Sequence, residues 1–337
     1  MRFEYYSEAI GSVPKLSVDG TVGNSIHFSH WEGNQTPEAV KADTSTEIAL
    51  NLVTSPNKTE LTQGIELVTN NHFDTDGVLS VWTTLTGERA AEFRDRLVAA
   101  AEAGDFSEYS SPEGVRISLA IQGSDQVDPN EEAGSPLARF LAGHAVEDNA
   151  EAYSLVLPEV EKLLSEVNDY ESLWRNGWER IAAALASFAS GASKVYEYEQ
   201  AGLSVITLAP EVFSGSGFNP TKHAAPYTAI SHHARGTLYE IAIPSKGGWF
   251  YRLDYPYYSW AETVIRPRVE ARDFSSALHL LNERETNRGG RWQVDNREMT
   301  SAVKFVDQHG MLVSSSLDPD EVAQVLPKQA GAQTAAV

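Results

Sequence analysis

The chain has no cysteine among its 337 residues. That absence excludes disulfides, zinc–thiolate sites, iron–sulfur clusters and a cysteine nucleophile together. Any metal has to be held by His, Asp, Glu, Asn or main-chain oxygen, a donor set suited to Mg²⁺, Mn²⁺, Fe²⁺, Co²⁺ or a histidine-rich Zn²⁺ site. Positive charge is scarce as well: 26 Lys and Arg stand against 47 Asp and Glu, a formal charge of −21. Duplex nucleic acid and anionic membranes need a basic face, so neither is an expected partner. Long apolar runs are missing. The opening MRFEYYSEAIGSV lacks the apolar core of a signal peptide, and IAAALASFASGA at 181–192 is too short to span a bilayer. These absences predict a cytoplasmic protein. GxSxG, P-loop, Rossmann-glycine and HExxH motifs are absent too, which argues against the usual serine hydrolases, nucleotide triphosphatases and dehydrogenases.

What is present reads as globular: 42% of residues are apolar and 22% charged. GIELVTNN reads as a buried strand and GVLSVWTTL as the helix after it. GERAAEFRDRLVAAAEAGDF has apolar positions three and four apart and predicts a longer amphipathic helix; GVRISLAIQG predicts a second strand. In the opening sixty residues, Thr36-Pro37-Glu38 and Thr44 with Glu47 both look like helix starts. DQVDPNEEAGSP is a surface loop by composition. From Pro136 to Ser193 the pattern is helical, broken at Pro158. Beyond it, KVYEYEQAGLSVITLAP and LYEIAIPSKGGWFYRLDY read as hairpins, followed by short helices at FSSALHLLNERE and DPDEVAQVL. The expected fold class is α/β: a strand–helix, Rossmann-like N-terminal half, a helical middle and a β-rich C-terminal lobe. As domains this gives an α/β domain over 1–193, a β-rich substrate lobe over 194–327 and a disordered tail over 328–337.

The stretch carrying most chemistry is ELVTNNHFDTDGVLSVW at 66–82. His72, Asp74 and Asp76 alternate at the end of the expected strand, where α/β sheets gather ligands. Alternate side chains of an extended segment face the same way, so all three could meet one divalent ion. Asn70 and Asn71 are placed to orient them, and Gly77 permits a sharp turn. DTDG is also good turn chemistry, and Asp76 would serve equally as the cap of the following helix.

HFDTDGVLSVW resembles the first motif of the DHH phosphoesterase superfamily, in which a strand ends in Asp-x-Asp, then Gly or Ala, then a helix. The resemblance implies a two-metal phosphoester or phosphoanhydride hydrolase dependent on Mn²⁺ or Mg²⁺, while the donor set also admits Zn²⁺ or Fe²⁺. It marks Asp74 and Asp76, and His72 with them, as metal ligands, and implies a smaller C-terminal substrate lobe. The family's Asp-His-His signature has an approximate counterpart in SHHARG, with Ser231 in place of the Asp before His232 and His233. Asp105 or Asp148 could stand for the family's intermediate aspartate. The whole chain also resembles bacterial proteins of unassigned function.

Other constellations are weaker. His223, His232 and His233 fall within eleven residues and are followed by Arg235; as metal ligands or a general acid they compete with an ordinary strand end. His30, Asp43 and Glu47 could complete a metal shell, the two acids sharing a helical face, or be surface charge. In GGWFYRLDYPYYSW, alternation puts Trp249, Tyr251 and Leu253 on one strand face and Phe250, Arg252 and Asp254 on the other. Arg252, Arg266 and Arg268 open a run of eight arginines reaching Arg297, suited to anion binding or to salt bridges. Together these observations predict a metal-dependent hydrolase acting on a small, anionic, phosphoester-like substrate. In it Asp105, His232 and His233 would be catalytic, and Arg235, Arg252, Arg266 and Arg268 would bind substrate. An amide or ester hydrolase on the same metal, and a non-catalytic module binding a small anion or a protein, remain open. A homodimer is compatible with either.

Overall fold

The computed structural model describes residues 1–124, 134–209, 225–295 and 300–327. The chain divides into two compact units, one of Met1–Glu179 with Ala261–Pro267, the other of Arg180–Trp260 with Arg268–Val337. Residues 125–133 of the expected loop at 125–136 lie outside the described residues, as does the tail from 328, and the loop's last two residues, Ser135 and Pro136, cap and open a helix.

The first unit holds a four-stranded sheet in the order β1 (Arg2–Phe3), β4 (Leu67–Thr69), β2 (Lys15–Val18), β3 (Ser25–Phe28). Every pair in it is parallel, so the carboxyl ends of the strands share one edge. Six residues, 19–24, return the chain from β2 to β3, where parallel neighbours ordinarily need a crossover of a dozen or more. The return is short because both turning residues are left-handed, Asp19 at φ 53° and Asn24 at φ 53°. Lys15 braces it, its buried ammonium donating to the carbonyls of Ile10, Gly11, Val13 and Asn24.

Helices α1 (Ser45–Thr54), α2 (Lys58–Leu61), α3 (Thr75–Thr86), α4 (Arg94–Asp105) and α5 (Pro112–Ile121) follow in this unit. α1 starts at the Thr44 cap, whose side chain accepts from the Glu47 N–H. The other expected start fails: Glu38–Val40 is a single 3-10 turn, because the Thr36 hydroxyl is engaged with the main chain of Ser29 instead of capping. GERAAEF is likewise a 3-10 segment, and the regular helix begins only at Arg94. The expected strand in GVRISLAIQG is wrong. Those residues form α5, capped by Ser111 and opened by Pro112, and Gly114 is pressed against the Ala99 main chain of α4. Its β-branched alternation mimicked a strand, while its start signals were those of a helix.

The helical middle comprises α6 (Pro136–Ala142), α7 (Asn149–Val156), α8 (Val160–Ser165) and α9 (Glu171–Ala189), with Pro158 in the 3-10 link between α7 and α8. The second unit is a six-stranded mixed sheet, ordered β5 (Lys194–Tyr198), β6 (Leu203–Thr207), β7 (Leu238–Ser245), β8 (Gly248–Asp254), β10 (Ser301–Val306), β9 (Arg291–Val294). Among the described residues, β6 and β7 are its one parallel pair. Both expected hairpins form, Gly202 turning the first at φ 55°. The alternation of β8 divides its residues between two cores. Tyr251 and Leu253 join α11 (Ser275–Arg284) and α12 (Pro319–Ala323) on one face, and Phe250 joins α10 (Tyr227–His233) on the other. The protein is thus mixed α/β, with a parallel sheet, a helical middle and a mixed C-terminal sheet. No helix among the described residues is long and apolar enough to cross a membrane.

Candidate metal centre

The carboxyl edge of the parallel sheet gathers the site. Asp19 follows β2 directly, His30 lies two residues past β3 and His72 three past β4. Asp74 is the N-cap of α3, Asp76 lies in its first turn, and Asp105 ends α4. Two groups of metal-capable donors result: Asp19, His30, Asp76 and Asp105, and Asp19, His72 and Asp74. Within each, the donor atoms lie within 4.8 Å of one another. Asp19 belongs to both.

The inner group is sealed. Side chains of Asp19, His30 and Asp76 are 0% exposed, and that of Asp105 is 5%. His30 Nε2 stands 3.1 Å from Asp105, 3.5 Å from Asp19 and 3.8 Å from Asp76. Its other ring nitrogen, Nδ1, is 2.6 Å from the Asp43 carbonyl oxygen. A carbonyl only accepts, so Nδ1 carries a proton and Nε2 faces the acids. The outer group opens to solvent, with His72 27% and Asp74 26% exposed. His72 Nε2 is 2.9 Å from Asp19 Oδ2 and 3.0 Å from Asp74 Oδ2, while its Nδ1 meets Asn71 Oδ1 at 3.0 Å. Asn70 shapes the turn from inside, its Oδ1 accepting from the N–H groups of Asn71 and His72. The Trp31 ring, 5.3 Å from the His72 ring, forms part of the rim.

Two of the acids also serve helix ends. Asp74 Oδ1 accepts from the Gly77 N–H at 2.7 Å, so Asp74, not Asp76, caps α3. Asp76 reaches across and takes the Ser45 and Thr46 N–H groups at the start of α1, each at 2.7 Å. Gly77 does not make a turn: it lies inside α3, where a Cβ would stand 2.7 Å from the Tyr153 hydroxyl and closer still to the Asn70 amide.

The electrostatics show strain. Burial, then the charges of Asp74 and Asp76, push Asp19 well above the usual carboxylate range, against its hydrogen bond from His72. Burial also raises Asp76, although His30 and the Thr46 hydrogen bonds oppose it. Burial works to raise Asp74 too, but the His72 hydrogen bond and charge and the Gly77 N–H hold it below its ordinary value. Burial works to lower His72, yet its bonds to Asp19 and Asp74 raise it to about 11. Crowded, desolvated carboxylates require protons or a cation to offset their charge. Oxygen with imidazole is the donor set of a hard to borderline divalent ion. The residues therefore fit such an ion.

Other residues singled out by sequence lie elsewhere. Asp148 caps α7. Asp43 precedes α1 and does not share a helical face with Glu47, as its i, i+4 spacing had suggested; its carboxylate binds Arg266, and Glu47 faces Arg94 at 3.7 Å. Arg266 is spent on Asp43, Glu102 and Glu108, all at 2.5–2.7 Å. His232 and His233 end a helix, not a strand, in the second unit, where the His233 ring packs against Phe188. Neither joins a metal-capable group among the described residues. Arg235 and Arg268 are exposed, and Arg252 pairs with Asp254 at 2.9 Å. His223 lies outside the described residues. The site residue that sequence reading missed is Asp19, whose only signal is an Asp-Gly pair closing the short run KLSV.

No curated protein matches the chain. Among solved structures it is similar to a pGpG-specific phosphodiesterase, PggH from Vibrio cholerae, at 12% identity over 89% of this chain and 82% of that one. The TM-score is 0.29, too low for the likeness to bear on fold or chemistry. A family model matches residues 1–335, and the chain belongs to that family, DUF6687, a family of unknown function.

Proposed function

We propose that this protein is a divalent-metal-dependent hydrolase acting on phosphoesters, with Asp19 shared between two cation positions. His30, Asp76 and Asp105 would complete the inner position, and His72 and Asp74 the outer one. The observation that carries the reading is that one fully buried carboxylate belongs to both donor groups. The likeness of HFDTDG to the DHH phosphoesterase motif supports a phosphoester over an amide or carboxylic ester. Bound there, Mn²⁺ or Mg²⁺ would bring the pKa of a coordinated water toward neutrality and offset charge on the leaving oxygen. The chain's own residues prepare the rest. His30 is held with Nε2 toward the carboxylates, the inner acids are kept dry, and the outer edge at His72, Asp74 and Trp31 leaves a small anionic substrate its way in.

A second reading has specific support. Asp74 and Asp76 each satisfy main-chain N–H groups at a helix start, which is reason enough for an acid in a protein with no catalysis. Asp74→Asn separates the two, because asparagine caps about as well as aspartate but is a poor ligand for a hard cation. The hydrolase reading expects the variant to melt within a few degrees of wild type. It should lose Mn²⁺ affinity by about 10-fold or more and lose hydrolysis of a phosphodiester such as bis(p-nitrophenyl) phosphate. Equal metal content in the two proteins by elemental mass spectrometry, or none in either after Mn²⁺ titration, would sink it.

A further inference from the structure

Between Trp260 and Arg268 the chain leaves the second unit, spends residues 261–267 in the first, and returns. This excursion closes around His30. The Glu262 N–H donates to the His30 carbonyl at 2.7 Å, and Ala261 makes a β-bridge with Trp31. Further along, the Asp43 carboxylate receives the consecutive N–H groups of Val264, Ile265 and Arg266, together with Arg266 Nη1 at 2.7 Å. The same Arg266 is anchored by Glu102 and Glu108, which flank Asp105, and its guanidinium lies 4.8 Å from the Phe106 ring centre. Phe106 in turn packs on the His30 ring. Asp43 is the residue whose carbonyl takes the His30 Nδ1 proton.

We infer that Arg266 is a positioning residue for the inner cation position, a role that rests on the metal reading above. It does not touch metal or substrate. It fixes Asp43 from one side and Phe106 from another, and through them sets both the tautomer and the plane of the His30 imidazole. A planar fork with donors for three carboxylates at once suits this task, and a lysine ammonium cannot reproduce it. This also accounts for an arginine whose guanidinium is engaged by three carboxylates of the protein itself. Under this inference Arg266 positions the site, where the sequence had suggested contact with substrate.

The test is Arg266→Lys beside wild type, with Arg272→Lys as a control. The control removes a guanidinium that pins main-chain carbonyls of the second unit. Two readouts are taken besides melting temperature. In metal-free protein, ¹⁵N shifts report whether His30 Nδ1 carries the proton that the Asp43 carbonyl accepts. Wild type and Arg272→Lys should carry a proton on Nδ1 throughout, and Arg266→Lys should show a mixture in which part of the population has Nδ1 bare. In Co²⁺ titrations, Arg266→Lys should bind about 10-fold more weakly with an altered visible spectrum, while Arg272→Lys matches wild type. A folded Arg266→Lys with unchanged Nδ1 protonation and Co²⁺ affinity within twofold overturns the inference, as does a wild-type His30 with no proton on Nδ1. Should Arg266→Lys lose its cooperative melt, Asp43→Asn makes the same comparison, because it weakens the Arg266 link and keeps the carbonyl under His30. The tautomer readout needs no metal. Failure of the metal reading therefore appears as wild type that binds no Co²⁺ yet has the expected His30 tautomer.

Discussion

Asp19 concentrates the cost of the site in one residue. It is fully buried, left-handed at φ 53°, and flanked by the charges of Asp74, Asp76 and Asp105. A non-glycine residue held there costs of order 1 kcal/mol in the backbone, before the desolvated carboxylate is counted. A fold seeking only stability would put glycine or asparagine at this turn. Asp19→Asn is therefore expected to melt at or above the wild-type temperature in EDTA, since it relieves like-charge crowding and keeps a residue that tolerates the left-handed region. It should also abolish the stabilisation that Mn²⁺ gives wild type. A variant that melts well below wild type without metal would make Asp19 a structural acid. Residues of the site were legible only where they were neighbours in sequence. His72, Asp74 and Asp76 announced themselves by alternation. His30 and Asp105 were named as candidates, but nothing in the sequence set them beside that turn, because strand order brings His30 there and the end of α4 brings Asp105. Asp19 carried no more signal than any Asp-Gly turn.

At the scale of elements, legibility followed the length of the apolar pattern. β4 and α3 were readable because a buried run led straight into a capped helix. β1, β2 and β3 are two to four residues long, set in polar sequence, and give periodicity too little to work on. α5 was misread for the opposite reason: its pattern was strong, and the Ser111–Pro112 helix start ahead of it was not read. β7 holds a further feature that no pattern reveals. Its Glu240 lies on the strand face of Leu238 and Ala242 and is fully buried, and neither carboxylate oxygen has a hydrogen-bond partner among the described residues. Burial, then the charges of Asp320 and Asp318, raise it well above its ordinary 4.5. The folded state thus holds the proton more tightly than the unfolded chain. This term is fully present below about pH 4.5 and is lost as pH rises toward the folded pKa. Glu240→Gln removes that loss. In urea melts the variant should match wild type near pH 4 and exceed it at pH 8. A constant difference at both pH values would show that Glu240 is charged or paired in solution.

For the whole molecule, composition alone set useful limits. Without cysteine, and with acids in large excess, the chain could offer a metal only oxygen and imidazole, and the first unit assembles that donor set. Those donors must shed protons before they can bind. In the metal-free protein His72, raised to about 11, keeps its proton through the neutral range, and Asp19 is raised as well. A raised histidine stabilises the metal-free fold fully below its unfolded 6.5, and that contribution is lost as pH climbs toward about 11. Metal binding runs the other way, because each ion has to displace at least one proton. Mn²⁺ affinity should therefore rise by about 10-fold per pH unit between pH 6 and pH 8 for each proton released. Calorimetric titration in buffers of different ionisation enthalpy should count one or two protons. The melting temperature in EDTA should then drift downward over the range where the Mn²⁺-induced increment grows. Affinity independent of pH, with no proton released, would mean that the ion binds away from His72 and Asp19, and the centre would have to be sought elsewhere on the molecule.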